Sequence, residues 1–180
     1  GELGYEIHCR MGDHIALRRL LLKAGAECGI REFGFNALLS LRLEKGFGIW
    51  SAEFTQGYTP GMTGMDRWID WEKEKFIGQA AAIKERDGNG PAQKLVMLEI
   101  DADDADASGY EPVWNNDSLV GFVTSGGYGH TLKKSLAMAL VNNDLANENQ
   151  RLKVHVVGVE KDAKVIQASP YDPEGSVMRV

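Results

Sequence analysis

Several side chains near the start of this sequence are of types that bind flat, nitrogen-rich ligands. Glu6 stands in GELGYEIH, flanked by Tyr5 and Ile7 and preceded by Gly4. An ionised carboxylate only accepts hydrogen bonds, so on a strand it can take a parallel pair from a flat array of amino and ring N–H groups. The same pattern also describes an exposed strand glutamate. Arg42, in SLRLEKGF, carries a planar fork suited to bidentate acceptors: Glu6, Glu53 or a carboxylate on a ligand. A structural salt bridge at the end of a buried helix is the commoner use of such an arginine. In GIWSAEF, Trp50 can wall a pocket and Glu53 can stabilise a turn. Core packing for the indole, and a cap or ion pair for the carboxylate, fit equally well.

The elements around them are legible from periodicity. Residues 3–9 alternate apolar and polar positions, as a half-buried strand does, with Glu6 and His8 sharing a face. Asp13 offers a helix N-cap, Ile15, Leu17, Leu20, Leu21 and Leu22 build an apolar face, and Gly29 closes the helix. A second helix is expected over about 35–45, with Ala37, Leu38, Leu41 and Leu43 inward and Gly46 as its stop. A third is expected over about 76–86, burying Phe76, Ile77, Ala80, Ala81 and Ile83. The DGNGP at 87–91 marks a boundary, because turn formers cluster where periodicity vanishes. Beyond it, 94–100, 112–115, 119–124, 135–141, 152–157 and 163–167 are short and rich in Val, Leu and Ile, separated by turn-forming stretches that include SGGYG. Six short strands at near-regular spacing predict a small antiparallel barrel or sandwich. The fold class is therefore α+β: residues 1–90 form an α/β part and residues 91–180 a β-barrel part.

Composition narrows the function. A net charge of −6 and a pI near 5.3, with no basic run, exclude a nucleic-acid partner of the usual electrostatic kind. No apolar stretch approaches the ~20 residues a membrane-spanning helix needs, so no membrane partner is expected. GELGYEIH lacks a basic and then apolar leader, and Cys9 and Cys28 make no CxxC pair. They read as reduced, mostly buried thiols in a reducing compartment, the cytoplasm or, in a eukaryote, the mitochondrial matrix. The four histidines show no ligand spacing, and no metal is expected. The acidic run at 101–106 fails the EF-hand pattern and reads as a solvated loop. The glycines of SGGYG precede no GK[ST], which excludes a phosphate loop. The chain opens without a methionine, within an apparent strand, and reads as a fragment or processed product.

The order of pieces in 34–83 carries a resemblance. The LRLEKGF helix runs into the turn with Trp50 and Glu53, then Thr59-Pro60, the Trp-rich DRWIDW and a helix opened by Phe76-Ile77-Gly78. This order resembles the folate-binding aminomethyltransferase family, which includes the glycine-cleavage T-protein and the folate domains of dimethylglycine and sarcosine dehydrogenases. GELGYEIH is similar to the family's strand motif, and VGFVTSGGYGHTLKKSLAMALV at 120–141 resembles its C-terminal signature. The tail ASPYDPEGSVMR resembles the ends of dimethylglycine-dehydrogenase-like members. The sequence departs from the family's pattern where Leu38 and Leu39 replace an Arg-Asp pair, where Ser51 replaces a glycine and where His130 replaces a proline.

The resemblance implies the C-terminal half of a folate-binding module that passes a one-carbon unit from a small N-methyl or aminomethyl amine to tetrahydrofolate. Glu6 would bind the pterin of tetrahydrofolate, and Arg42, Trp50 and Glu53 would complete the cofactor-binding set. The family's catalytic aspartate falls upstream of this chain, so no catalytic residue is expected here and the chain alone would be inert. FAD would belong to a missing upstream domain, since no GxGxxG follows a strand here. The upstream half of the same protein is the expected partner. Two alternatives share the fold: a non-catalytic folate-binding or regulatory module, and a methyltransferase similar to dimethylsulfoniopropionate demethylase.

Overall fold

The computed structural model describes residues 4–179, apart from the side chain of Met178. Six antiparallel strands close into a barrel: β1 (Gln93–Ile100), β2 (Pro112–Asn115), β3 (Ser118–Gly129), β4 (Lys134–Asn142), β5 (Arg151–Val156) and β6 (Val159–Ile166). Their order around the barrel is β1-β4-β3-β2-β5-β6, with β6 closing onto β1. Closure leaves no unpaired edge, which suits strands too short to stand as an open sheet. Alternation fills the interior with Val96, Leu98, Ile100, Val113, Val123, Ala139, Val141, Leu152, Val154 and Val165. The α+β class and the barrel expected from the strand spacing are both present.

The helices lie outside it: α1 (His14–Ala24), α2 (Phe35–Glu44), α3 (Pro60–Thr63) and α4 (Gln79–Asp87). Helix α2 rests on β3 and β4 and α3 touches β1. A second, smaller apolar cluster of Leu43, Met97, Leu136 and Met138 fills the space between α2 and the outer barrel wall. The chain after β6 returns to the end of α2, where Tyr171 N–H donates to Glu44 O at 2.9 Å. Gly46, at φ +71°, permits that approach, since a Cβ there would meet Ala168 O at 1.9 Å.

Several expectations are corrected. Residues 4–10 form no strand and are exposed, while Leu3 lies outside the described residues. An alternating segment becomes a strand only when a neighbour supplies its ladder, and none does so among the described residues. Asp13 makes no side-chain cap bond, because it already belongs to a 3-10 turn at Met11–Asp13. Ile15, Leu20 and Leu21 of α1 are exposed, as are Ala37, Leu38 and Leu41 of α2. Helix α4 begins three residues late, after Gly78 at φ +84°, so Ile77, Ala80 and Ala81 face outward while Ala82 and Ile83 turn inward. Cys9 and Cys28 are both exposed. SGGYG is not a turn: β3 runs through it to Gly129, and the chain reverses at 130–133. Gly126 is required there because a Cβ would meet Ala107 O at 2.1 Å.

Candidate functional site at the end of helix α2

Helix α2 ends in Leu41-Arg42-Leu43-Glu44-Lys45, and each charge in that run is taken up by a different part of the molecule. At about 100° per residue, Glu44 lies about 160° round the helix from Arg42, so those two charges face different parts of the molecule. Arg42 turns toward the following turn, where its Nη1 donates to Phe47 O at 3.2 Å and to Glu53 Oε2 at 3.4 Å, and approaches Met138 Sδ at 3.7 Å. Glu44 turns toward the β3–β4 hairpin, where its Oε1 accepts from Thr131 N at 2.6 Å and Leu132 N at 2.9 Å. Lys45 turns toward the C-terminal stretch and donates to the Asp172 carbonyl and, at 3.1 Å, to its carboxylate.

Glu53 is the most deeply buried charge, with 0% of its side chain exposed. Its Oε2 accepts from Ile49 N at 2.8 Å as well as from Arg42, and its Oε1 accepts from the Ser125 hydroxyl of β3. The Glu53 N–H in turn donates to Ile49 O at 3.0 Å, so the side chain and backbone together close the turn 49–53. Removing a carboxylate from water is costly unless its lone pairs are filled, and three donors from three elements fill them here. Trp50 rises from the same turn with 81% of its surface exposed. A large indole left on an immobilised turn is a surface available for stacking.

Arg42 is less completely served. Its side chain is 11% exposed, and its Nε–H is buried without an acceptor. Burial pushes the guanidinium below its ordinary pKa, while the adjacent Glu53 charge pulls it back up. Among the described residues the Trp114 indole N–H of β2 is in the same state, and such unpaired buried donors are uncommon in folded proteins.

Glu6 lies apart from this group. Its side chain is 93% exposed, and its polar contact is His8 Nε2 at 3.8 Å. The structure thus joins Arg42 to Glu53, holds Trp50 on the turn that Glu53 pins, and does not bring Glu6 against them. Glu44, Lys45, Ser125 and Asp172 also belong to the arrangement and carried no role in the sequence reading. Nothing local in the sequence marks Ser125. Tyr128 and His130, on the hairpin that Glu44 holds, pack edge to face with ring centroids 5.1 Å apart.

Residues 93–172 match the family described as the glycine cleavage T-protein C-terminal barrel domain, and residues 1–73 match the GCVT N-terminal domain. The chain belongs to the glycine-cleavage T-protein, or aminomethyltransferase, family. It is 37% identical to the mitochondrial dimethylglycine dehydrogenase of Rattus norvegicus over 93% of this chain and 20% of that one. It is 34% identical to the aminomethyltransferase of Geobacillus sp. (strain WCH70), over 95% of this chain and 46% of that protein. The chain therefore spans about a fifth of such a dehydrogenase and just under half of such an aminomethyltransferase. The crystal structure of glycine cleavage system aminomethyltransferase T from Bartonella henselae shares the fold, with a TM-score of 0.78 at 24% identity, over 88% of this chain and 44% of that one. Among the described residues of this aminomethyltransferase-family chain, no three His, Cys, Asp or Glu side chains are placed to hold a metal. No helix there is long and apolar enough to cross a membrane.

Proposed function

We propose that the end of α2 and the turn 49–53 form one wall of a tetrahydrofolate site, in a protein that moves a one-carbon unit from a small N-methyl or aminomethyl amine. The observation that carries this reading is the buried, unspent Nε–H of Arg42, beside a turn that presents an exposed indole. A carbonyl or carboxylate of the ligand gives that donor its acceptor, and the flat ring system stacks on Trp50. Glu53 holds both in place from below without itself reaching the ligand. Glu6 supplies the paired acceptor for the pterin's amino and ring N–H groups, a role that needs its exposed segment to be ordered by the ligand or by another part of the protein. When bound, tetrahydrofolate supplies the nitrogen that receives the carbon. The residues of this chain bind and orient it, and the carboxylate that moves the proton lies in sequence outside 1–180. Residues 1–90 then act as the wall of the site and 91–180 as the barrel that supports it. Any FAD lies in a further domain, and the surroundings are cytoplasmic or, in a eukaryote, the mitochondrial matrix.

The test is a titration of tetrahydrofolate into the 180-residue chain, followed by NMR at the indole N–H groups and the arginine Nε–H groups. The Trp50 indole and the Arg42 Nε–H are expected to move together, while Trp114 on β2 stays still. Uniform shifts across all the tryptophans, or none at millimolar ligand, would remove the site from this end of α2. A transfer assay with an amine donor is expected to give no turnover from this chain above a protein-free blank.

A further inference from the structure

Residue 125 of β3 is aimed by an irregularity in the barrel. Val123 pairs with Ala139 and Ser125 pairs with Met138, so Thr124 has no partner of its own and the register slips by one. Val123 and Ala139 point into the barrel core, whereas Met138 belongs to the outer cluster beneath α2. In an unbroken strand, residues 123 and 125 would share a face and the serine would point into the apolar interior. The extra residue reverses that alternation, as bulges do when they re-aim a side chain. Ser125 thereby lies 7% exposed against α2, where its hydroxyl donates to Glu53. The displaced Thr124 satisfies itself locally, donating from Oγ1 to Met138 O at 3.1 Å.

Met138 connects the two sides of this arrangement. It pairs with Ser125 in the register, and its sulfur lies 3.7 Å from Arg42 Nη1. Glu53 therefore receives Ser125 on one oxygen and Arg42 on the other, with Met138 packed between the donors' elements. A carboxylate clamped at both oxygens transmits a displacement at one to the partner on the other.

We infer that Ser125 is a positioning residue for the ligand wall: through Glu53 it fixes the orientation of Arg42, and the bulge at Thr124 exists to present it. The ligand half of this inference rests on the tetrahydrofolate reading, whereas the Ser125–Glu53–Arg42 coupling does not. Ser125→Ala removes the donor on Oε1 and lets the carboxylate rotate toward its remaining partners. Arg42 then follows, and its Nε–H loses its protected position.

The measurement is made first without ligand, on the full chain, by NMR at the Arg42 Nε–H. Ser125→Ala is expected to shift this signal and to speed its exchange with water, because the burial that shields the Nε–H then rests on one contact fewer. Ser125→Thr, which keeps the hydroxyl, restores both. Ser135→Ala serves as the comparison, since it deletes a different buried serine-to-carboxylate bond, 2.7 Å to Asp106, with no link to Arg42. It is expected to leave the Arg42 signal where it was, even if it lowers thermal stability equally. Should Ser125→Ala fail to fold, Ser125→Cys, a weaker donor of similar shape, is expected to shift the signal in the same direction by less. An unmoved Arg42 signal in the folded variant, or an equal shift in Ser135→Ala, overturns the inference. The second arm adds tetrahydrofolate and expects binding to weaken by about tenfold in Ser125→Ala and not in Ser135→Ala. Loss of wild-type binding with an Arg42 signal that still answers to Ser125 rejects the folate reading and keeps the positioning role. Equal binding in the wild type and in Ser125→Ala, with a silent Arg42, does the reverse.

Discussion

The barrel and the region before it are built of similar proportions of apolar residues but bury them very differently. Inside 93–166 nearly every Val, Leu and Ala on the inner face is shut away from water, and Leu98, Val113, Val123, Val141 and Val154 are wholly buried. Before residue 96, Leu43 is the one buried hydrophobic residue among those described, and it packs on the barrel. Leu20, Phe33, Phe35, Leu38, Leu41 and Trp50 instead face outward. The whole chain exposes 12639 Å², where a compact monomer of 19.8 kDa exposes about 8,600 Å². The contrast separates two ways of being ordered. The barrel is held by its own core, whereas the helical region meets the barrel through the small cluster around Leu43 and through polar ties, Glu53 to Ser125 and Glu44 to the hairpin, with Lys45 tied to Asp172 of the tail.

The contrast is broken most directly by truncating a leucine in each region. Leu98→Ala should cost about 2–5 kcal/mol, the transfer free energy of the lost methyls plus a cavity the closed barrel cannot collapse. Leu20→Ala, at a position 62% exposed, should change stability by no more than about 0.5 kcal/mol. Urea denaturation followed by barrel fluorescence and by far-UV circular dichroism measures both. Comparable losses would mean that the helical region has a core of its own.

A smaller effect probes the polar ties through pH. Asp172 is held well below the ordinary carboxylate range, first by the Ser176 hydroxyl and then by the backbone N–H groups of Ser176 and Val177 and by Lys45. A carboxyl whose pKa is depressed on folding stabilises the fold above its unfolded pKa, about 3.9, and loses that contribution as pH falls toward the folded value. The tie is therefore complete at neutral pH and weakens in acid. Asp172→Asn should lower the unfolding temperature at pH 7, and the gap from wild type should narrow as the pH drops below about 4. A gap that stays constant across that range would show that the Asp172 charge contributes nothing to holding the tail on α2.

What could be read in the sequence follows the same division. All six strands and the barrel were legible because a barrel's alternation and turn chemistry are local: each short Val- and Leu-rich run announces one strand. The helices were legible as helices but not in their burial, since an apolar face predicts that something covers it without saying what. The strand over 3–9 failed for the same reason, because its pattern needs a neighbour that periodicity cannot supply. In the site, Arg42 was singled out by its type and Glu53 by the family resemblance of its turn, and the structure joins them. Ser125 was invisible because its direction depends on a one-residue slip between β3 and β4, a property of pairing and not of the local sequence. SGGYG misled for a related reason: glycines that admit the close backbone of Ala107 look the same on paper as glycines that make a turn.

The finest test of the comparison sets two glutamates against each other. Glu53 lies where the two regions meet, shut from water with all its donors from the protein, and Glu6 lies 93% exposed with a single distant histidine. Replacing either carboxylate by an amide keeps the shape and exchanges one acceptor oxygen for a donor. At Glu53 the new NH₂ group must face Ile49 N–H, Arg42 or the Ser125 hydroxyl, and only the hydroxyl can turn to accept. Glu53→Gln should therefore cost stability by about 1–3 kcal/mol even with no ligand present. Glu6→Gln disturbs no protein contact, and its urea midpoint should match the wild type. Its effect should appear only in the titration, where an amide presented to a pair of ligand N–H groups weakens tetrahydrofolate binding by about tenfold. The two variants thus split the measurements, Glu53→Gln moving stability most and Glu6→Gln moving binding most. A Glu6→Gln chain that binds tetrahydrofolate as well as the wild type does would return this residue to an ordinary solvated carboxylate, leaving Arg42 and Trp50 as the wall.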